Sequence, residues 1–376
     1  MNDPFSIRDR AQKRLPRMIF DFVDGGTGAD TAQSEIIEAF NAIKLQPRIL
    51  KNVEQLDLTK QLMGRTYERP FGFAPMGMCN LIATHADSSM SLEAAQRQIP
   101  HCVSTAASTT LEQSFQQSAG NCWFQLYAGT NHEFTQELLK RASNSGFETL
   151  VFTVDTPRNS RRTRDLKNGF TVPITWGPRQ LMDFASHPIW SINLLRSGIP
   201  EPMNYKTSQA QNLFDRFDSR AAADWDYLRR LRDSWTGHLV VKGVTCVEDA
   251  LGVEEAGCDA IYVSNHGGRQ LDSTAPAISV LRDIAQERRT SIPVIFDSGI
   301  RSADDVLRAL ALGADFVMLG RPVLFALAAG GSRSLANFLN RLEDDLKSAM
   351  AQLGITRISQ IDDQVIAGRG GDQGER

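Results

Sequence analysis

Short apolar runs rich in β-branched residues recur along the chain and indicate eight strands. Continuous apolar runs of this length are typical of strands buried on both faces, as in a parallel sheet. The predicted strands are Phe71–Ala74, His101–Thr105, Cys122–Tyr127, Thr149–Asp155, His238–Gly243, Ala260–Asn265, Pro293–Ser298 and Phe316–Arg321.

Most intervals between these strands show the 3.6-residue period of amphipathic helices. The predicted helices are Ser88–Arg97, Glu133–Ser145, Asp224–Ser234, Val247–Glu255, Ile278–Arg288 and Ala303–Leu312. Ser302 is a favourable N-cap, and Gly146, Gly257 and Gly313 follow helices as C-terminal caps do. The alternation of strand and helix predicts an α/β fold, a (β/α)₈ TIM barrel. A doubly wound sheet is the alternative, but it more often has a glycine-rich fingerprint after its first strand, which this sequence lacks.

The barrel repeat is interrupted once within a single predicted domain of residues 1–376. Strands one to four fall in 70–155 and strands five to eight in 238–330. The interval 156–237 is far longer than an ordinary crossover. We interpret it as a lid or docking excursion that also contains a crossover helix, and we expect its proline-rich middle, about Thr171–Arg220, to be partly mobile.

Both ends of the chain lie outside the repeat. Residues 1–69 show helical periodicity over Ala11–Val23 and Thr31–Phe40, and we expect this N-terminal helical extension to cover the bottom of the barrel. Residues 331–376 are expected to form a C-terminal helix and a tail. The tail Gly368–Arg376 is predicted to be disordered.

Composition excludes several classes of protein. The chain of 376 residues is 41% hydrophobic and 23% charged, which is typical of a globular protein, and its net charge of −3 argues against nucleic-acid binding. No secretory h-region and no run of about 18 apolar residues are visible. The five cysteines are odd in number, form no CxxC pair and mostly lie in apolar runs. They indicate free thiols in a reducing, cytoplasmic compartment, with neither a disulfide nor a metal site.

Nearly every predicted strand ends in a residue capable of chemistry. Barrel enzymes place their active sites at the carboxyl ends of the strands, so a common rim explains this pattern better than scattered structural roles. The residues are Ser104, Gln125, Tyr127, Thr153, Asp155, Lys242, Ser264, His266, Asp297 and Arg321.

The last two strands carry the features of a phosphate site. Strand seven is followed by Gly299 and Arg301, and strand eight by Gly320 and Arg321. Glycines allow backbone N–H groups to approach an anion, and arginines add paired donors. The spacing alone does not distinguish a phosphorylated substrate from a phosphorylated cofactor.

The segment Ser264–Asp272, SNHGGRQLD, places His266 and Arg269 around two glycines. With this motif the chain resembles the FMN-dependent α-hydroxy-acid dehydrogenase/oxidase family, which includes glycolate oxidase and the bacterial L-lactate and mandelate dehydrogenases. The resemblance covers roughly residues 5–360. Further matches are LPRMIFDFVDGG, WFQLY, TVDTP, VKG and the run from DSGIR to ALGADFVMLGRP.

The resemblance implies roles at the substrate side. His266 corresponds to the base that takes a proton from the substrate α-carbon, or from its hydroxyl if a hydride moves instead. Asp155 corresponds to its carboxylate partner, which stabilises the imidazolium. Arg269 corresponds to the clamp on the substrate carboxylate and Arg162 to a second arginine there. Tyr127 corresponds to the phenol near the substrate hydroxyl.

The resemblance also implies FMN as the cofactor. Lys242 corresponds to the cation beside the flavin N1–O2 edge, where it favours the negative charge gained on reduction. Positions implied for the ring are Ala74, Pro75, Met76, Ser104, Gln125, Thr153 and Ser264; those for the ribityl chain and phosphate are Asp297, Gly299, Arg301, Gly320 and Arg321. Ordinary structural roles remain alternatives for the strand hydroxyls, for Lys242 and Tyr127, and for Arg162 in its arginine-rich loop.

Three positions depart from the family pattern. Phe22 replaces a tyrosine that helps bind the substrate carboxylate, so we expect carboxylate binding to depend on the two arginines. Ala106 stands where glycolate oxidases have tryptophan, which predicts a larger substrate, aromatic or long aliphatic. Gly268 stands where several oxidases have alanine, which favours a dehydrogenase.

The function implied is oxidation of an (S)-2-hydroxy acid to a 2-oxo acid, with a quinone or other carrier as electron acceptor and O₂ as the alternative. Rival hypotheses are a phosphate-binding isomerase or aldolase with Lys242 as amine, and a flavin-binding protein without turnover. The stretch LMDFASHPIW resembles one in membrane-associated members, which implies peripheral contact with the inner membrane as an alternative to a lid or subunit contact. A homotetramer is implied by the family.

Overall fold

The structure is a computed structural model that describes residues 4–129, 131–171, 177–206 and 220–368. Its strands are β1 Lys60–Leu62, β2 Arg65–Tyr67, β3 Phe71–Met76, β4 His101–Ser104, β5 Cys122–Tyr127, β6 Thr149–Thr153, β7 His238–Val244, β8 Ala260–Val263, β9 Val294–Phe296 and β10 Phe316–Leu319. Its helices are α1 Pro4–Arg14, α2 Arg17–Asp24, α3 Thr31–Ala42, α4 Ala86–Arg97, α5 Leu111–Gln117, α6 His132–Ser145, α7 Thr163–Asn168, α8 Pro178–Ala185, α9 Pro188–Ser197, α10 Trp225–Ser234, α11 Val247–Glu255, α12 Ala277–Glu287, α13 Ala303–Ala311 and α14 Arg321–Leu353.

Strands β3 to β10 form a closed parallel barrel in chain order, with β10 paired to β3. The predicted (β/α)₈ fold is therefore confirmed. Each predicted strand overlaps one barrel strand. Several ladders stop earlier than predicted, because the polar residues at their carboxyl ends leave the sheet to form the rim: β6 ends at Thr153, before Asp155, and β8 at Val263, before Ser264.

The barrel interior is filled by side chains that close its amino-terminal end. Trp123 and Phe316 lie near the starts of β5 and β10, and both are almost fully buried. The β1–β2 hairpin covers them: Trp123 Nε1 donates to the Tyr67 hydroxyl at 3.1 Å, and the Tyr67 and Phe316 ring centroids are 5.4 Å apart. All five cysteines are free thiols, and only Cys246 is exposed.

We predicted that the N-terminal extension covers the bottom of the barrel. In the structure, only part of the extension lies there. α1 packs against α14, whereas Leu62 and Tyr67 of the β1–β2 hairpin join the apolar cluster inside the barrel at its amino-terminal end. α2 and α3 reach the opposite, carboxyl end: Val23 O accepts from Arg321 Nε at 3.1 Å, and Ala32 N donates to Asp272 at 3.2 Å. The helix predicted over Ala11–Val23 is two helices, because Pro16 adopts an extended ψ of 143°.

The long insertion is largely helical and docked onto the barrel. It contains α7, α8, α9 and the predicted crossover helix α10. Trp190 Nε1 donates to Leu81 O at 2.9 Å, and the fully buried Asn204 accepts from Leu111 N at 2.9 Å. We predicted mobility in the middle of the insertion and disorder in the tail. Within those segments, residues 172–176, 207–219 and 369–376 lie outside the described residues.

The sequence analysis predicted neither the β1–β2 hairpin nor α5, and in the insertion it did not predict α7, α8 or α9. Each strand of the hairpin has only three residues, too few to show a period. α5 has seven residues, and its polar composition, LEQSFQQ, hides the apolar face. Its start is nevertheless marked, because the Thr110 side chain accepts from Gln113 N as an N-cap.

Candidate active site

A cleft opens at the carboxyl ends of the barrel strands. Its empty volume is about 1350 Å³ when the space open to solvent is included. Most of the predicted site residues line it: Phe22, Ala74, Pro75, Met76, Ala106, Tyr127, Arg162, Lys242, His266, Arg269, Asp297, Gly299, Arg301, Gly320 and Arg321.

The remaining predicted residues lie directly behind this lining. Ser104 donates to Gln125 Oε1 at 2.9 Å, and Thr153 is buried at the end of the neighbouring strand. Ser264 donates to Asp297 Oδ1 at 2.5 Å, and Asp155 contacts His266. The structure therefore brings the whole predicted set together at one rim.

His266 and Asp155 form a largely buried pair across the rim. The Nδ1 atom of His266 lies 3.0 and 3.2 Å from the two Asp155 oxygens. An ionised carboxylate only accepts, so Nδ1 carries the proton and Nε2 keeps its lone pair. Burial lowers the pKa of His266 against the opposing effect of Asp155. Burial would raise the pKa of Asp155, but His266 and Lys242 outweigh it and keep that pKa below its usual value. A neutral imidazole beside an ionised carboxylate can act as a base.

The His266 loop explains the paired glycines of the signature. His266 has a φ of +56°, a left-handed conformation that non-glycine residues rarely adopt, and Gly267 and Gly268 continue it with φ of +64° and +73°. Ser264 Oγ accepts from His266 N at 3.1 Å, and Ser298 Oγ accepts from Gly267 N at 3.0 Å. These bonds hold the backbone that presents the imidazole to the cleft.

Lys242 is a buried cation in the floor of the cleft. Its Nζ donates to Ser264 Oγ at 2.8 Å and lies 3.4 Å from Asp297 Oδ2. Burial lowers the pKa of Lys242, but Asp297 and Asp155 outweigh it and leave the pKa above its usual value. The ammonium therefore stays charged at neutral pH.

Phe22 contacts both predicted substrate arginines. The Cζ atoms of Arg269 and Arg162 are 5.5 and 5.7 Å from its ring centroid, within cation–π range. The ring also stacks on Phe170, with centroids 4.5 Å apart. Arg269 Nη1 donates to the carbonyls of Val23 and Gly25 at 3.2 and 3.0 Å. Phe22 thus keeps the aromatic surface of the family tyrosine but offers no hydroxyl.

The loops after β9 and β10 form a cationic cradle. Arg321 donates to Val23 O, Gly25 O and Gly267 O at 2.9 to 3.2 Å. Burial, together with the neighbouring Arg301, lowers the pKa of Arg321 to about 9. A Cβ built on Gly320 would meet nothing within 4 Å. Two partly buried guanidinium groups repel each other beside open space, and a bound anion would relieve that repulsion.

The family model described as FMN-dependent dehydrogenase matches residues 11–368, nearly the whole chain. The chain belongs to this family.

Relatives of known name agree with the family match. The chain is 34% identical to (S)-mandelate dehydrogenase of Pseudomonas putida over 369 residues, covering 96% of this chain and 93% of the relative. It is 35% identical to L-lactate dehydrogenase of Pseudomonas syringae pv. syringae, covering 96% of each. Among solved structures it resembles a monotopic membrane protein, (S)-mandelate dehydrogenase, with a TM-score of 0.93, 33% identity and coverage of 97% of this chain and 99% of that one.

The cofactor of this FMN-dependent dehydrogenase is FMN, and the residues present fit it. The cationic cradle suits a phosphate, and the Lys242 ammonium is placed in the floor. Gln125 Nε2 and Thr153 Oγ1 are buried without a hydrogen-bond partner among the described residues. Such groups are normally satisfied, so a polar ring system against them would remove a penalty of about 1–3 kcal/mol for each.

Sequence reasoning missed several cleft residues of this FMN-dependent dehydrogenase. Ser298 lies inside the DSGIR motif and was therefore detectable. Thr156 also lines the cleft and was likewise detectable, because it lies inside the TVDTP motif. Asn159 lines the cleft as well, but it lies farther along the same loop, which shows no periodicity. Arg220 lies within the insertion, and nothing local marks it; its Cζ lies 4.1 Å from the Tyr127 ring centroid.

Proposed function

We propose that this protein oxidises an (S)-2-hydroxy acid to the corresponding 2-oxo acid. The main support is the His266–Asp155 pair, which leaves an imidazole lone pair in a cleft that also holds guanidinium groups and a phosphate cradle. FMN, when bound, supplies the two-electron acceptor. The family assignment and the names of the relatives agree with this reaction class.

Each residue at the substrate side has a distinct proposed task. His266 removes a proton, from the α-carbon or from the hydroxyl if a hydride moves instead. Asp155 stabilises the imidazolium that forms, because its pKa is low enough to keep it ionised. Arg269 and Arg162 bind the substrate carboxylate, and Tyr127 lies near the substrate hydroxyl.

The residues behind and below the cleft hold the cofactor. Lys242 places a fixed positive charge where reduction adds negative charge. The cofactor-contacting set is proposed to be Ala74, Pro75, Met76, Ser104, Gln125, Thr153 and Ser264 for the ring, and Asp297, Gly299, Arg301, Gly320 and Arg321 for the ribityl phosphate.

An aldolase or isomerase that uses Lys242 as an amine nucleophile has less support. Such chemistry requires a neutral amine, which burial in apolar surroundings can provide. Here Asp297 and Asp155 keep the pKa of Lys242 above its usual value. A flavin-binding protein without turnover is also disfavoured, because the His266–Asp155 pair is intact.

The substrate is proposed to be larger than glycolate, because Ala106 leaves room in the cleft.

The electron acceptor is proposed to be a quinone or another carrier, with O₂ as the alternative. The argument from Gly268 loses its support: a Cβ there would point at Ala32 and Gln33 N, both at 3.2 Å, and Gly268 does not line the cleft. The dehydrogenase names of the relatives now carry this preference.

Peripheral contact with the inner membrane, from the cytoplasmic side, is proposed for the insertion. Its helices α8 and α9 expose Met182 at 70%, Leu195 at 80% and Ile189 at 60%. Large exposed apolar side chains close together mark interaction surfaces. No helix in the described ranges is long and apolar enough to cross a membrane. The structural relative named as a monotopic membrane protein supports this proposal of membrane contact. Separately, a homotetramer is proposed from the family resemblance.

An anaerobic screen tests the proposed reaction. Purified protein should carry flavin absorbance, and (S)-2-hydroxy acids should bleach it while their (R)-enantiomers should not. The 2-oxo product should form in equal amount with the flavin reduced. Flavin that stays oxidised with every hydroxy acid would disprove the proposal, and protein that binds no flavin would revive the aldolase alternative.

A further inference from the structure

Among the described residues that line the cleft, Arg220 is a cation that the proposed reaction does not use. Lys242 faces Asp297, Arg162 lies 3.5 Å from Asp165, and the cradle arginines serve the phosphate. Arg269 serves the substrate carboxylate. Arg220 makes no ion pair with an acidic residue in the part of the chain that the structure describes, and its guanidinium lies over the face of Tyr127, 4.1 Å from the ring centroid.

Two more polar side chains line the same cleft, and we refer to them together with Arg220 as one wall of it. Thr156 Oγ1 and Asn159 Nδ2 are buried, line the cleft and have no hydrogen-bond partner among the described residues. The backbone joins this segment to Arg220, because Arg220 N donates to Pro157 O at 3.1 Å. Buried donors and half-buried cations without partners are unfavourable, so a ligand group that accepts hydrogen bonds and is negatively charged fits this wall.

We propose that Arg220, Asn159 and Thr156 bind a second carboxylate of the substrate, at the far end of its side chain. A guanidinium pairs with a carboxylate through two N–H donors, and the amide and hydroxyl can donate to the same oxygens. The substrate class is then the (S)-2-hydroxy dicarboxylic acids. This inference rests on the proposed function and extends it, since Tyr127, which Arg220 covers, is the residue assigned to the substrate hydroxyl.

The inference also restricts the choice of substrate side chain. From Ala106 alone, the side chain was expected to be either aromatic or long aliphatic. A long aliphatic chain that ends in an anion meets both requirements: Ala106 leaves room for its length, and Arg220 pairs with its end. If Arg220 only packs on Tyr127, its replacement will affect monocarboxylic and dicarboxylic acids alike. The two explanations therefore predict different effects of the replacement on the ratio of kcat/KM for dicarboxylic acids to kcat/KM for monocarboxylic acids.

The experiment compares (S)-2-hydroxyglutarate with (S)-2-hydroxypentanoate, which have equal chain length and differ in the terminal carboxylate. In the FMN-loaded enzyme, kcat/KM for anaerobic flavin reduction should favour the dicarboxylic acid about tenfold or more. Arg220→Gln should abolish most of this preference through KM, and Arg220→Lys should retain part of it. Arg158→Gln, at an exposed arginine of the same loop, is the matched control and should keep the wild-type ratio.

Asn159→Asp is a second variant with nearly unchanged volume. It places a negative charge in the wall, which would repel the terminal carboxylate. The ratio of kcat/KM for (S)-2-hydroxyglutarate to that for (S)-2-hydroxypentanoate should therefore also fall. Equal rates for the two acids in the wild type, or equal losses for both acids in Arg220→Gln, would overturn the inference while the proposed function stands. Flavin that no hydroxy acid reduces would overturn both, so the two failures are distinguishable.

Discussion

The Nδ1 atom of His266 lies 3.0 Å from Asp155 Oδ1, although 111 positions separate the two residues in the chain. β6 carries the aspartate and β8 the histidine to the same end of the barrel, where both side chains are largely buried. The carboxylate therefore orients the imidazole and opposes the effect of burial on its charge. Several consequences of this pair and of the surrounding cleft can be measured.

Asp155→Asn should slow flavin reduction by about 10²- to 10⁴-fold, the range typical of general acid–base groups. The amide removes the negative charge that stabilises the imidazolium and no longer enforces one tautomer. Stopped-flow reduction with the best hydroxy acid measures the effect. Asp226→Asn, at an exposed surface pair, is the control. A loss below a few-fold for Asp155→Asn would remove Asp155 from the mechanism.

The acid limb of the pH profile should report His266. Catalysis requires a neutral imidazole, and burial lowers the pKa of His266 from its usual value of about 6.5. The rate constant kcat/KM should therefore stay high as pH falls through 6.5 and decline only at lower pH. Asp155→Asn removes an effect that raises this pKa, so its acid limb should move to still lower pH. A shift to higher pH would contradict this assignment.

Phe22→Tyr should strengthen substrate binding. The ring lies within 6 Å of the guanidinium groups of both Arg162 and Arg269, so we expect a phenol there to reach the proposed carboxylate site. A hydrogen bond to a charged group contributes about 1.5–3 kcal/mol, which lowers KM about tenfold or more. Phe22→Leu, which loses the stacking on Phe170 without adding a hydroxyl, separates packing from hydrogen bonding. Unchanged KM and kcat in Phe22→Tyr would show that the missing hydroxyl has no importance here.

Arg301→Leu should weaken binding of FMN far more than binding of riboflavin, which lacks the phosphate. Burial and the neighbouring Arg301 lower the pKa of Arg321, and under the proposal a bound phosphate would compensate the repulsion between the two guanidinium groups. Flavin fluorescence titration of the apoprotein gives both dissociation constants. We expect the ratio of FMN to riboflavin affinity to fall at least about tenfold, as for loss of a charge-assisted hydrogen bond. Equal losses for both flavins would place the phosphate elsewhere.

Met182→Glu combined with Leu195→Glu should reduce flotation with vesicles that contain anionic lipids. The two side chains are 70% and 80% exposed on α8 and α9, and charges there oppose insertion into an apolar phase. Ile49→Glu is the control, since Ile49 is 81% exposed but lies outside the insertion. Equal flotation of all three proteins would exclude this segment as the membrane contact.

Much of the fold was readable in the sequence because it depends on local periodicity. Continuous apolar runs predicted the eight barrel strands, and residues at their carboxyl ends, such as Lys242 and Asp297, had to meet once the strands ran parallel. The element boundaries were less accurate where polar residues leave the ladder. The signature around His266 was visible because left-handed backbone requires its glycines.

Tertiary structure alone decided the contacts between segments outside the repeat. α2 was expected at the bottom, yet its C-terminal turn lies at the active site, because Arg269 and Arg321 bind the carbonyls of Val23 and Gly25. Arg220 has no local pattern, and only the path of the insertion brings it over Tyr127. The sequence by itself determined a parallel barrel with its chemistry at one rim, since periodicity and strand direction are local properties. The shape and charge of the cleft wall depend on how distant loops pack, which no local pattern encodes.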